Sequence, residues 1–409
     1  MRPIPSMLVA LGCFAAAPLG AQTDQAQEIA ELRAQIALLA DRLAQIEHRA
    51  AAPLDVEEDA EVEQIAIVSR QPAEPAWTDS LRFVGDLRYR HESINDDLFS
   101  VRNRQRIRAR LNVMANVAEN ASVVFGLSTG GRTNDSGNQT FGDGFSYKPV
   151  LVDLAYFNWG VTDSLNLLGG KMPSPFFRPT GYHLVYDSDI RPEGLAFRYS
   201  AGSFFGNASA FWAEERSGDP DSMLFGLQAG YRGTLSNGFG LTAGASYYET
   251  THMQGRAPLF SPGNGQGNQL DANGNYLYGF SQFNLFSELR FELGGEPVTL
   301  FADYVRNGDA DAFDEGVAFG ATYRSASNPG DWSFAYIYQD SEANSVVGAF
   351  TDSDFSGGTS DGSGHTLRAG YVYRAGWNFA VRYVIGDRGE AAGLQRDYNR
   401  LMADVSFSY

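Results

Sequence analysis

From Leu81 to the last residue, apolar and polar side chains take turns. Leu81, Phe83, Gly85, Leu87 and Tyr89 alternate with Arg82, Val84, Asp86, Arg88 and Arg90. A period of two puts successive side chains on opposite faces of an extended strand, and no helix tolerates it. The pattern recurs sixteen times, from 81–92 to 399–409. The connections also alternate. Every second one is tight, as at Glu119-Asn120, Ala201-Gly202, Ser236-Asn237-Gly238 and Ala375-Gly376. The others are longer and polar, as at 131–149, 251–277 and 341–364. Short turns at one rim, long loops at the other and an even strand count describe a transmembrane barrel. The expected fold is therefore all-β: a 16-stranded antiparallel β-barrel over 79–409. The 45 glycines and 13% aromatic residues suit many short strands joined by turns. No apolar run approaches the ~18 residues of a membrane-spanning helix, which is no objection to a barrel whose strands average out in hydropathy.

The preceding 78 residues differ in kind. Residues 1–21 have the form of a secretory signal peptide: Arg2, an apolar stretch over 7–17, and small residues ending at Gly20-Ala21. A lipoprotein reading of Leu11-Gly12-Cys13 is the alternative. Cys13 is the single cysteine, so a chain cleaved after Ala21 has neither a disulfide nor a thiolate metal site. Over 24–49, Ile29, Leu32, Ile36, Leu39, Leu43 and Ile46 recur at steps of three and four, as in a coiled-coil seam. Arg42 and Glu47 flank that seam in a pattern that resembles a trimerisation motif of short coiled coils, and it favours a homotrimer. Only about three heptads are present, too few for a helix stable alone. Residues 50–78 read as an acidic linker, broken by Pro53, Pro72 and Pro75.

Two further placements agree with a membrane barrel. Trp77, Trp159, Trp332 and Trp377 fall at strand ends on the short-turn rim, where an interfacial aromatic belt would stand. The last strand carries Leu401, Ala403, Val405, Phe407 and Tyr409 on its apolar face. The net charge of −18 argues against a nucleic-acid partner. No HExxH, GxSxG or P-loop pattern occurs, and the five histidines are scattered, so neither enzyme chemistry nor a cofactor or metal is indicated.

The sharpest local signal is a column of arginines. Arg102, Arg104, Arg106, Arg108 and Arg110 occupy every second position. On a strand at about 3.4 Å per residue they span roughly 27 Å of one face. Arg82, Arg88 and Arg90 lie on the polar face of the strand before. An arginine facing lipid near the midplane costs about 2–4 kcal/mol, so the column must line the lumen or stand beyond the membrane. A plainer role, balancing lumen carboxylates, stays open. The second candidate is the connection 173–193, which carries Pro173, Pro175 and Pro179 and then Asp187, Asp189 and Glu193.

The Arg-x-Arg-x-Arg strand, Gly169-Gly170-Lys171 before the proline-rich connection, Asp187-Ser188-Asp189 with Pro192-Glu193-Gly194, and the terminal aromatic together resemble the Gram-negative porins. The nearest likeness is to the group called putative porins, and a more distant one is to the phosphate-selective porins. The resemblance implies passive diffusion of small hydrophilic solutes and ions through a water-filled channel in the outer membrane, with the coiled coil in the periplasm. It implies that the third long loop folds inward, so that Asp187, Asp189 and Glu193 face the arginines; an external loop is the alternative. A solute-specific anion channel, phosphate-like in preference, and a structural outer-membrane barrel are the competing functions.

Overall fold

The computed structural model describes residues 80–409 apart from 132, 135, 183 and 262. The expected signal peptide, coiled coil and acidic linker, with Trp77, lie outside the described residues.

The chain forms β1 (Leu81–Asp96), β2 (Arg102–Ala118), β3 (Ala121–Thr129), β4 (Gln139–Thr140), β5 (Val150–Thr162), β6 (Leu165–Lys171), β7 (Glu193–Ala201), β8 (Phe204–Glu214) and β9 (Ser222–Thr234). It continues through β10 (Gly240–Thr250), β11 (Phe280–Leu293), β12 (Glu296–Asn307), β13 (Glu315–Tyr323), β14 (Trp332–Ser341), β15 (Gly362–Arg374), β16 (Trp377–Arg388) and β17 (Arg396–Ser408). Sixteen of these make the wall. The other, two-residue β4, rides on β2 above the point where β3 ends, with Arg106 opposite Thr140. Each wall strand pairs antiparallel with its neighbours, and β1 closes on β17 with Leu87 opposite Phe407 and His91 opposite Ala403. Closure leaves no unpaired sheet edge, which a wall in hydrocarbon requires. Tyr409 completes the seam: its backbone exchanges hydrogen bonds of 3.0 and 3.1 Å with Gly85.

Alternation sets the two faces. On β1, Phe83, Leu87 and Tyr89 are exposed while Arg90 and Glu92, on the other face, are buried. Exposed Phe125, Leu195, Phe225, Leu285, Phe319 and Leu367 continue the apolar outer face around the wall. At the short-turn rim, the Trp332 ring lies 4.8 Å from that of Tyr371, and Trp377 lies 4.6 Å from Phe407. Tight turns there use glycine where a left-handed backbone is needed, as at Gly202 (φ 56°) and Gly376 (φ 74°).

The interior of the barrel holds protein as well as space. The long connections 172–192, 251–279 and 342–361 pack against the inner faces of β8–β14. They build one apolar cluster that includes Met172, Leu184, Tyr186, Leu259, Val347 and Phe350 from the loops and Phe211, Tyr248, Phe301 and Val305 from the wall. The last two loops are also stitched by hydrogen bonds. Asn268 Nδ2 donates to the Ala343 and Val346 carbonyls at 2.6 and 2.7 Å, and its Oδ1 accepts from Gly348 N–H at 2.7 Å. Asn344 Nδ2 donates to Gln269 Oε1 at 2.8 Å.

Candidate functional site

The remaining sector of the interior is charged. β1, β2, β15, β16 and β17 present their polar faces there, and the antiparallel registers decide which charges meet. Arg88 stands opposite Arg108, Arg90 opposite Arg106 and Glu92 opposite Arg104. Asp404 of β17 stands opposite Arg90 on the other side of β1, and Arg368 of β15 opposite Arg382 of β16. Five adjacent strands thus put nine arginines on one curved surface: Arg88, Arg90, Arg104, Arg106, Arg108, Arg110, Arg368, Arg382 and Arg400. Such crowding is tolerable only with carboxylates interleaved.

The carboxylates come from wall and loops alike. Arg90 bonds Asp404 through Nε at 2.7 Å and Asp354 through Nη1 at 2.8 Å. Asp354, on the 342–361 connection, also receives Arg400 at 3.0 Å and Arg382 at 3.1 Å. Glu92, fully buried, is shared by Arg104 and Arg400, with Arg106 at 3.7 Å. Asp86 takes Arg108 at 3.1 Å and Arg110 at 2.6 Å.

The 172–192 connection crosses the barrel and is pinned on the far side. Phe177 N–H donates to Gln228 Oε1 at 2.7 Å, Tyr182 hydroxyl to Gln339, Thr180 N–H to Glu288, and Leu184 N–H to Asp303 Oδ2 at 3.4 Å. Its acidic stretch returns toward the arginines. Asp189 lies 3.6 Å from Arg108 and 3.9 Å from Arg110. Asp187 accepts the N–H groups of Asp189 at 2.7 Å and Ser353 at 2.6 Å, and donates its own N–H to the Phe350 carbonyl at 2.7 Å. The inner limb of the 130–149 connection covers the arginines from the long-loop side, where Arg88 Nη2 donates to Asn138 Oδ1 at 2.8 Å.

Electrostatics separate the two loop carboxylates. Burial pushes the Asp187 carboxyl up to about 8, and the nearby charges of Asp352 and Asp189 add to the rise. Burial pushes Asp354 the same way, but Arg90, Arg400 and Arg382 outweigh it and hold the group well below the usual carboxylate range. A cavity of about 420 Å³ stays open among these groups, lined by Arg88, Arg108, Arg178, Asp189, Arg368 and Arg382 among others.

The sequence-predicted residues divide accordingly. Arg88, Arg90, Arg104, Arg106, Arg108, Arg110, Asp187 and Asp189 gather in this sector. Arg82 and Arg102 are exposed near the ends of their strands, away from the cluster. Glu193 calls for a correction: it is the first residue of β7 rather than a loop residue, and it pairs with Lys171 Nζ at 2.7 Å. It shares the strand face of exposed Leu195 and Phe197, so its carboxylate points away from the arginines. Sequence reasoning missed Asp86, Glu92, Asp404, Arg368, Arg382 and Arg400, although each occupies a polar position of a strand already recognised. Asp352 and Asp354 carried no signal, being two acidic residues in a polar loop.

The family described as "Putative porin" matches residues 94–272. The chain resembles the porins. Its fold is similar to that of OprB from Pseudomonas putida, solved at high pH, with 14% identity and a TM-score of 0.55 over 81% of this chain and 94% of that one. It is also similar to OmpF from Salmonella typhi in complex with daunomycin, with 13% identity and a TM-score of 0.51 over 82% of this chain and 99% of that one. No curated protein matches the sequence. At these identities the porin structures speak for the fold alone; the charged sector stands on this chain's own residues.

Proposed function

We propose that the chain forms a water-filled channel in a bacterial outer membrane and passes small hydrophilic solutes and ions by diffusion, without catalysis. The observation that carries this reading is the charged sector. A closed wall with an apolar outer face holds an open cavity of about 420 Å³ bordered by arginines and carboxylates. A structural barrel has no need of open space bordered by charges, whereas a water-filled channel keeps the charges along its path hydrated. In this reading the arginine column lines the lumen. Asp187 and Asp189 form the opposing side of the constriction, and charge at the narrowest point biases which ions pass. The loops confine the path to the β1–β3 and β15–β17 side, so the channel is narrower than a bare sixteen-stranded barrel allows.

A homotrimer seated in the lipid bilayer is part of the proposal, with residues 24–49 as a periplasmic coiled coil that holds three barrels together after the signal peptide is removed. The experiment for the channel itself is solute entry into liposomes carrying the purified full chain. Neutral solutes of increasing size should enter at rates that fall steeply with size and do not saturate with concentration. Liposomes no more permeable than protein-free ones would reject the reading.

A further inference from the structure

Beside the cavity at the arginines lies a second cavity of about 500 Å³, and Tyr186 and Asp189 line both. The second is of another character. Its walls are Phe176, Tyr186, Phe211, Leu224 and Phe350, with Trp212 at the rim. The rings pack closely: Phe176 and Tyr186 stack at 6.4 Å, and Tyr186 and Phe350 lie 6.0 Å apart. Its opening follows from the ladders. β6 and β7 stop at the Lys171–Glu193 pair, while β5 runs on to Val150 and β8 to Glu214. The wall is therefore low between them, and the aromatic alcove opens there, beside the polar limb of the 130–149 loop.

On the basic side, two arginines stand out. Among the described residues, Arg178 of the 172–192 loop and Arg368 of β15 form no salt bridge and no side-chain hydrogen bond, and Arg368 Nε is buried without a partner. The carboxylates nearest them are already engaged. Asp352 faces Arg382 at 3.7 Å, Asp189 faces Arg108 at 3.6 Å, and Asp187 accepts two backbone N–H groups. Both side chains are half-buried at the wall of the open cavity, where a visiting anion can meet an unpaired guanidinium through paired N–H···O bonds.

We propose that these adjoining cavities form one binding site for small organic anions with an apolar body, of the aromatic carboxylate class. The ring occupies the alcove of Phe176, Phe211 and Phe350, and the carboxylate meets Arg178 and Arg368. The proposal deepens the channel reading and rests on it for the solute's route. It differs from a preference for inorganic anions, since the alcove adds nothing to the binding of an ion without an apolar part.

The test uses the full chain in detergent, titrated calorimetrically with benzoate, acetate and benzylammonium, alongside current block in planar bilayers. Benzoate is expected to bind about tenfold or more tightly than acetate, because burying a ring is favourable, and to reduce the potassium chloride current. Benzylammonium is expected to show no saturable binding. Arg178→Gln with Arg368→Gln should weaken benzoate about tenfold or more, the loss of charge-assisted bonds. Phe350→Ala, or Trp212→Ala at the exposed rim should the first fail to fold, should move the benzoate-to-acetate ratio toward one. Equal binding of benzoate and acetate, equal binding of benzylammonium, or an unmoved double variant would overturn the site. A chain that binds benzoate but carries no current would keep the site and refute the channel. A chain that conducts without distinguishing benzoate from acetate would do the reverse.

Discussion

Asp354 and Asp187 stand on neighbouring connections, the first largely and the second fully buried, yet their surroundings drive them apart. Asp354 is enclosed by Arg90, Arg400 and Arg382, two of which are themselves almost fully buried. Removing one partner of a buried ion pair costs about 3–5 kcal/mol, because the remaining charges lose their compensation. Asp354→Asn should therefore lower the unfolding free energy of the refolded barrel, read from urea titration, by about 3–5 kcal/mol, whereas Asp143→Asn, on an exposed loop tip, should not change it measurably. Asp187 has the opposite setting, with Asp189 and Asp352 as its charged neighbours and its carboxyl raised to about 8. An unfolded aspartate titrates near 3.9. The raised group therefore stabilises the loop fully below that pH, and the contribution is lost as pH rises through about 8. Ionisation there also places a negative charge beside the cavity. Reversal potentials in a salt gradient should shift toward cations between pH 6.5 and 9, and Asp187→Asn should flatten that shift. A wild type with no shift over this interval would place Asp187 off the conduction path.

At the scale of elements, the wall was legible in the sequence and the interior was not. Alternation fixes which side chains share a face, and the tight turns fix where strands end, so sixteen strands could be placed with ends within a few residues. β15 begins at Gly362 and β17 at Arg396, three residues before the starts at 365 and 399 that alternation suggests, because glycine and charged residues can pair in a ladder above the apolar band. The column from Arg104 to Arg110 was legible by the same period-two rule. The contacts that join loops to the wall and to each other were not, since Arg90–Asp354 and Asn268–Ala343 join residues 264 and 75 positions apart with no local pattern. Asn268 shows what such a contact does. It serves three backbone groups of the 342–361 loop, and a side chain on Gly348 would strike the Gln266 carbonyl. Each buried group left unsatisfied costs about 1–3 kcal/mol. Asn268→Ala should make the 342–361 loop cleavable by added protease while the barrel stays folded, and channel current should become noisier. Residues 24–49 call for a different readout. Their deletion should weaken the trimer, seen by sizing in detergent, without preventing the barrel from folding; an equally heat-resistant trimer would assign assembly to the barrel walls.

For the whole molecule, net charge and local charge point in different directions. The chain carries −18 overall, but salt screens exposed loop charges over about 8–10 Å, while charges inside a low-dielectric wall act at close range. Within the charged sector, arginines outnumber carboxylates, though ion pairs with Asp86, Glu92, Asp189, Asp354 and Asp404 offset much of the excess. A modest preference for anions follows. The most direct measurement is the reversal potential of the reconstituted channel in a potassium chloride gradient, for the wild type and for Arg104→Ser with Arg106→Ser and Arg108→Ser. The wild type should favour anions, and the triple change, which leaves Asp86, Glu92 and Asp189 with fewer partners, should move the potential toward cations. A wild type that already prefers cations, with a potential the triple change leaves in place, would contradict an arginine-lined path.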